Sequence, residues 1–175
     1  MIYLTRILKN MMSELDIFCF SVLAFVLYNA FVLNKFGVPE SVSSTSYLFK
    51  TYNGKPWLFS FMCVIIVVGL FPLWVNVSDD NYDYLVFITC AGILFAGATP
   101  MFRESFEKPI HYGSGIILTV SFILWFVFNY YWIPLVSIGI FSLLLILLKP
   151  MNYVYFFEVV AYLTLSTHLI SGCNG

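Results

Sequence analysis

Of the 17 charged side chains in this 175-residue chain, 16 lie in or at the edges of the connectors between apolar runs, and one, Glu158, lies well inside a run. A hydrocarbon solvent imposes this segregation, because an ionisable group left in it is expensive and marks a candidate site. The pattern specifies an all-α polytopic membrane protein. Hydrophobic residues make up 61% of the chain and charged ones 10%, against roughly 45–50% and about 25% in soluble domains. The longest connector, residues 34–56, has 23 residues. The expectation is therefore a single transmembrane domain over residues 1–175, with any site built from helices and short loops. A net charge of -1 without a basic run argues against a nucleic-acid partner.

A span needs about 20 largely apolar residues at 1.5 Å each. Six segments approach this: residues 16–33, 57–75, 84–102, 113–130, 133–148 and 153–170. The fourth and fifth come from one uncharged stretch, residues 112–148, which as a single helix would be roughly 55 Å long against a ~30 Å core. It must break. Asn129-Tyr130-Tyr131-Trp132-Ile133-Pro134 supplies the break, with interfacial aromatics followed by a proline where a helix can start. The first run follows Arg6 and Lys9 as in a signal peptide, but it ends in Asn34-Lys35-Phe36 without a small-residue cleavage site, and is read as a retained span. The result is a six-helix bundle of three hairpins with both termini on one side.

Lys-Pro occurs three times, at Lys55-Pro56, Lys108-Pro109 and Lys149-Pro150, each time just before an even-numbered span. Proline tolerates a first helical turn, where its missing N–H would be unbonded, and lysine keeps its ammonium at the headgroups. All three pairs then lie on one membrane face. That face also collects Lys35, Lys50 and Arg103, while the other has only Arg6 and Lys9, so the positive-inside rule puts the Lys-Pro face in the cytoplasm.

Aromatics mark both interfaces: Trp74, Tyr82, Tyr84, Tyr130, Tyr131 and Trp132 at one, and Tyr52, Trp57, Tyr112, Tyr153 and Tyr155 at the other. Small residues at i, i+4, as at Gly92/Ala96 and Gly115/Thr119, predict close helix contacts, and the third span is expected to be the most buried. Cys19, Cys63, Cys90 and Cys173 stand singly, without metal or redox spacing, and read as small packing groups.

Glu158 lies roughly 9 Å below the Lys-Pro face at 1.5 Å per residue. A bare carboxylate there costs about 2.5–3.5 kcal/mol and must be neutralised or paired. Tyr155 and Tyr162, at i-3 and i+4, are expected to offer it hydroxyls. The connectors of the same face bring Arg103, His111 and a hydroxyl-rich segment, residues 39–47, containing Ser44. If these fold over the bundle, Arg103, His111, Ser44 and Glu158 converge. Glu104, Glu107 and His111 have ligand spacing for a metal on a helix, but Pro109 interrupts it. No metal, cofactor or catalytic residue is assigned.

Gly97-Ala98-Thr99-Pro100 through His111-Tyr112-Gly113-Ser114-Gly115, with residues 39–47, resembles small six-span bacterial membrane proteins that carry a Gly/Pro segment and then a His before a Gly in mid-chain. The resemblance implies a six-helix bundle in a bacterial inner membrane and no particular activity. The expected function is binding or transport of a small or lipid-like ligand through a polar pocket at the Lys-Pro face. Alternatives are a structural or assembly subunit of a membrane complex, and a membrane-embedded enzyme with His111 as general base. Expected partners are membrane lipids, that ligand, and a second copy or another membrane subunit.

Overall fold

The structure, a computed structural model, describes residues 2–148 and 152–172, with side chains described from Glu14 onward except at Asn53. Among these residues are seven α-helices, one 3₁₀ turn and no strand. The helices are α1 (Ile2–Phe36), α2 (Thr45–Asn53), α3 (Trp57–Val77), α4 (Asp83–Ala98), α5 (Lys108–Phe128), α6 (Trp132–Leu148) and α7 (Tyr153–Gly172), and the turn is Asp80–Tyr82. Five helical segments are long and apolar enough to cross a membrane: Glu14–Phe36 of α1, α3, α4 with its preceding turn, α5 and α7. The apolar α6 is shorter, at 17 residues.

The helix starts follow the proline argument. Pro56 caps α3 and Pro109 sits in the first turn of α5; Lys149-Pro150 lies outside the described residues. The predicted break falls between α5 and α6. Tyr130 there has a left-handed backbone, φ 59°; its N–H donates to the Val127 carbonyl and the Tyr131 N–H to the Phe126 carbonyl. These two bonds form a Schellman motif, which satisfies carbonyls left open at a helix end.

The third span ends earlier than expected, at Ala98 instead of residue 102. Thr99 precedes Pro100, whose ring disfavours the α-region for the residue before it, and Thr99 takes φ -116°, ψ 62°. Nor is α4 the most buried span. In α3, 44% of the apolar window is buried, against 33% in α4. The reason is position: α3 packs against α1, α2, α4 and α7, whereas α4 packs mainly on α3 and α5.

Lipid tails are as apolar as leucine, so helix association rests on close packing and hydrogen bonds. Glycines set the closest approaches. A Cβ at Gly92 would stand 2.8 Å from Leu118 Cβ, and one at Gly97 2.7 Å from Cys63 Cβ. A Cβ at Gly69 would collide with the Ser21 side chain and meet the Ile17 carbonyl at 3.3 Å, which places the α1–α3 crossing at Gly69. Gly115 has nothing within 4 Å, so the contact expected there is absent. Tyr84, Tyr112, Trp57 and Trp132 are over half exposed, as interfacial rings should be. Trp74 and Tyr155 depart from that expectation. Trp74 is 0% exposed, edge-on to Trp125 at 5.3 Å in the core between α3 and α5, and Tyr155 is buried.

Candidate functional site

The site begins with a local turn. The Ser44 N–H donates to Ser41 Oγ at 3.0 Å, and the Ser41 N–H to Ser44 Oγ at 3.1 Å. This reciprocal pair has the logic of a capping box. Bonds from the N–H groups of Thr45, Ser46 and Tyr47 to the carbonyls three residues back lead the chain into α2. The first N–H groups of a helical segment lack partners within it, and here Val42 supplies such a donor. Its partner is Glu158: the Val42 N–H donates to Glu158 Oε2 at 2.5 Å. The carboxylate thus stands at the positive end of a helical turn, the end that favours anions. Ser44, Thr45 and Ser46 are buried, so the hydroxyl-rich segment folds into the bundle.

Helix α1 completes the junction. Thr45 Oγ1 donates to the Val42 carbonyl at 2.6 Å; since that proton is committed, the Tyr28 hydroxyl bonded to Thr45 Oγ1 is the donor of its pair. The Tyr155 hydroxyl donates to Asn29 Oδ1 at 2.9 Å, and Asn29 Nδ2 to the Phe25 carbonyl at 2.8 Å. Tyr28, Asn29, Thr45, Tyr155 and Glu158 therefore stitch α1, α2 and α7 together.

Tyr155 does not donate to Glu158 as expected; its hydroxyl is taken by Asn29. The Tyr162 ring packs on Phe25 at 4.2 Å, and its hydroxyl is buried away from solvent. Ser44 enters the junction through its capping bonds, two residues from the Glu158 contact.

Arg103 stays on the outside. Its Nη2 donates to Glu40 Oε2 at 2.5 Å, its N–H donates to the Tyr47 hydroxyl, and the pair with Glu40 is largely exposed. His111 lies apart, on α5. Its Nδ1 is 3.2 Å from both the Ala96 carbonyl and Thr99 Oγ1, and its ring stacks on Phe102 at 4.3 Å. Thr99 Oγ1 already donates to the Phe95 carbonyl, so Nδ1–H is the donor to both acceptors. These bonds hold the ring at the end of α4 and fix the tautomer that carries its lone pair on Nε2. The expected four-way convergence reduces to Glu158 with the Ser44 segment. The outer connectors close over it: Ser46 Oγ is 2.5 Å from the Pro100 carbonyl, and Tyr47 packs edge-on to Phe102 at 5.3 Å.

The Glu107 carboxylate accepts from the Met101 N–H at 2.7 Å, and among the described residues no three His, Cys, Asp or Glu side chains are grouped to hold a metal. Sequence reasoning missed Tyr28, Asn29 and Thr45. Asn29 had a readable signal, an amide inside an apolar run; the Val42 N–H had none, because every residue but proline carries one.

Comparison of the chain with protein-family models, curated proteins and solved structures returns no match.

Proposed function

We propose that the chain is a six-span integral membrane protein, with α6 as the sixth span, that binds or transports a small or lipid-like ligand at the Lys-Pro face, with Glu158 as the titratable group of that site. The observation that carries this reading is the single bond between Glu158 and the Val42 N–H. A glutamine would accept the same bond without the cost of an intramembrane acid. What the carboxylate adds is a change of charge, and with it a way to loosen the contact on taking up a proton or a cationic ligand. A short helix start inside the bundle, with its N–H facing a carboxylate, also suits a transport site. The excess of Lys and Arg supports a cytoplasmic Lys-Pro face, and the mid-chain Gly/Pro–His resemblance supports a bacterial inner membrane.

The test is labelling by dicyclohexylcarbodiimide, a bilayer-soluble reagent for protonated carboxyls, in protein reconstituted into liposomes and read by peptide mass spectrometry. Glu158 should label, Glu158→Gln should not, and a protecting compound from a panel of inorganic cations and short-chain amphiphiles would identify the ligand class. A Glu158 that stays unlabelled while folded but labels once denatured overturns the proposal. A second reading, a structural or assembly subunit, is favoured by the commitment of Arg103 and His111 to neighbouring groups; it expects no compound to protect.

A further inference from the structure

At the far end of α7 from Glu158, α6 and α7 frame a crevice of about 500 Å³ whose lining includes His168. Three rings hold the imidazole in place: Tyr131 at 4.2 Å, Phe126 at 5.9 Å and Trp125 at 6.2 Å. Its Nε2 is buried and has no hydrogen-bond partner among the described residues. A buried polar atom left unmet is costly, and each case calls for an explanation. Here the atom belongs to a residue that faces a cavity, so a bound molecule can supply the missing partner.

The rest of the lining offers polar groups of both kinds. Ser137, Thr167 and Ser171 each donate to a carbonyl of their own helix, at 2.8, 3.0 and 2.7 Å, and keep lone pairs that can accept. The Trp132 indole N–H can only donate, and the Tyr130 and Thr164 hydroxyls can do either. No Asp or Glu lines the crevice to pair with a cation, and no Lys or Arg to pair with an anion. An unpaired ligand charge would be costly in such a site. Donors and acceptors together, without an ionic partner of either sign, suit a neutral ligand that accepts in one form and donates in another. The rings give its shape. Tyr130 occupies a left-handed position, φ 59°, that usually falls to glycine, and its ring is 77% exposed, with Trp132 52% exposed. These open faces suit a flat ring. Ile140 and Leu144, three and seven residues beyond Ser137 on one face of α6, are exposed and continue the crevice as an apolar track.

We infer that this crevice binds a lipid-soluble quinone. The ring lies against Tyr130 and Trp132, one carbonyl accepts from His168 in its Nε2–H tautomer, and the apolar tail follows Ile140 and Leu144. The reduced quinol fits the same lining, because its hydroxyls donate to the Ser and Thr oxygens. The site is independent of the Glu158 junction.

The test measures equilibrium binding of tritiated decylubiquinone to the detergent-solubilised protein, with unlabelled decylubiquinone, monoolein, palmitate and dodecylamine as competitors. Saturable binding is expected, displaced by decylubiquinone and not by the ringless neutral lipid, the anion or the cation. His168→Phe keeps a ring among Tyr131, Phe126 and Trp125 and removes the unmet nitrogen, so it should melt no lower than the wild type. It should bind decylubiquinone about tenfold more weakly, the loss of one hydrogen bond. Tyr130→Gly, which relieves the left-handed backbone and should fold, loses a stacking face and should bind about threefold more weakly. Absence of saturable binding, equal displacement by any of the other three competitors, or unchanged binding in either folded variant would each overturn the inference.

Discussion

The Glu158 carboxylate on α7 and the Val42 N–H ahead of α2 meet at 2.5 Å although 116 residues separate them in the chain. The contact ties the last helix to the first connector, and its replacement can be graded. Glu158→Leu leaves the Val42 donor without its acceptor, a loss of about 1–3 kcal/mol. Glu158→Gln keeps an acceptor and should lose less than about 1 kcal/mol. Thermal unfolding in one detergent measures both, and equal stability of the leucine variant and the wild type would remove the contact from the list of supports.

Gly92 and Gly115 look alike in sequence and should behave oppositely. Gly92→Ala pushes a methyl to 2.8 Å from Leu118 Cβ and 3.1 Å from the Ser114 carbonyl, and overpacking of this kind costs about 1–3 kcal/mol. Gly115→Ala meets nothing within 4 Å and should leave the melting temperature unchanged or slightly raised. The comparison is made in the same detergent.

At the α1–α3 crossing, Gly69→Ala strikes the Ser21 side chain and should destabilise the bundle by about 1–3 kcal/mol. Adding Ser21→Gly removes that obstacle and should recover part of the loss. A double-mutant cycle reads the coupling; strict additivity would show that the two residues do not share the contact.

His111→Ala removes the donor to the Ala96 carbonyl and the ring stacked on Phe102, with an expected loss of about 1–3 kcal/mol. His111→Gln, which can still donate, should lose less. Proteolysis within residues 99–107 offers a local readout, since cleavage there should quicken in His111→Ala and stay near the wild-type rate in His111→Gln.

Arg103→Ala breaks a pair whose side chains are 54% and 74% exposed. Exposed pairs contribute roughly 0–1 kcal/mol and are screened by salt. The melting temperature should therefore change little, and any change should shrink at high ionic strength.

Much of the fold could be read directly. Charge segregation and run length located the long helices, and Pro56 and Pro109 opened helices where lysine-proline chemistry placed them. The α5–α6 break was legible because aromatics and Pro134 mark it; that Tyr130 would take the left-handed position was not, because glycine is the usual signal. Helix α2 was hidden in its connector, since nine residues are too few for a hydropathy window. Trp74 looked interfacial because it lies near the end of its run, and it is buried because α5 brings Trp125 against it.

By itself the sequence determined which helices are long and apolar enough to cross a membrane and the one acid kept inside such a run. Those follow from the free energy of moving each residue between water and lipid, which depends on residue type and local run. Partners depend instead on distances between helices, which residue type does not encode. Only the tertiary structure decided that Glu158 would face a backbone N–H, that Tyr155 would serve Asn29, and that His111 would hold the end of α4 instead of joining the acid.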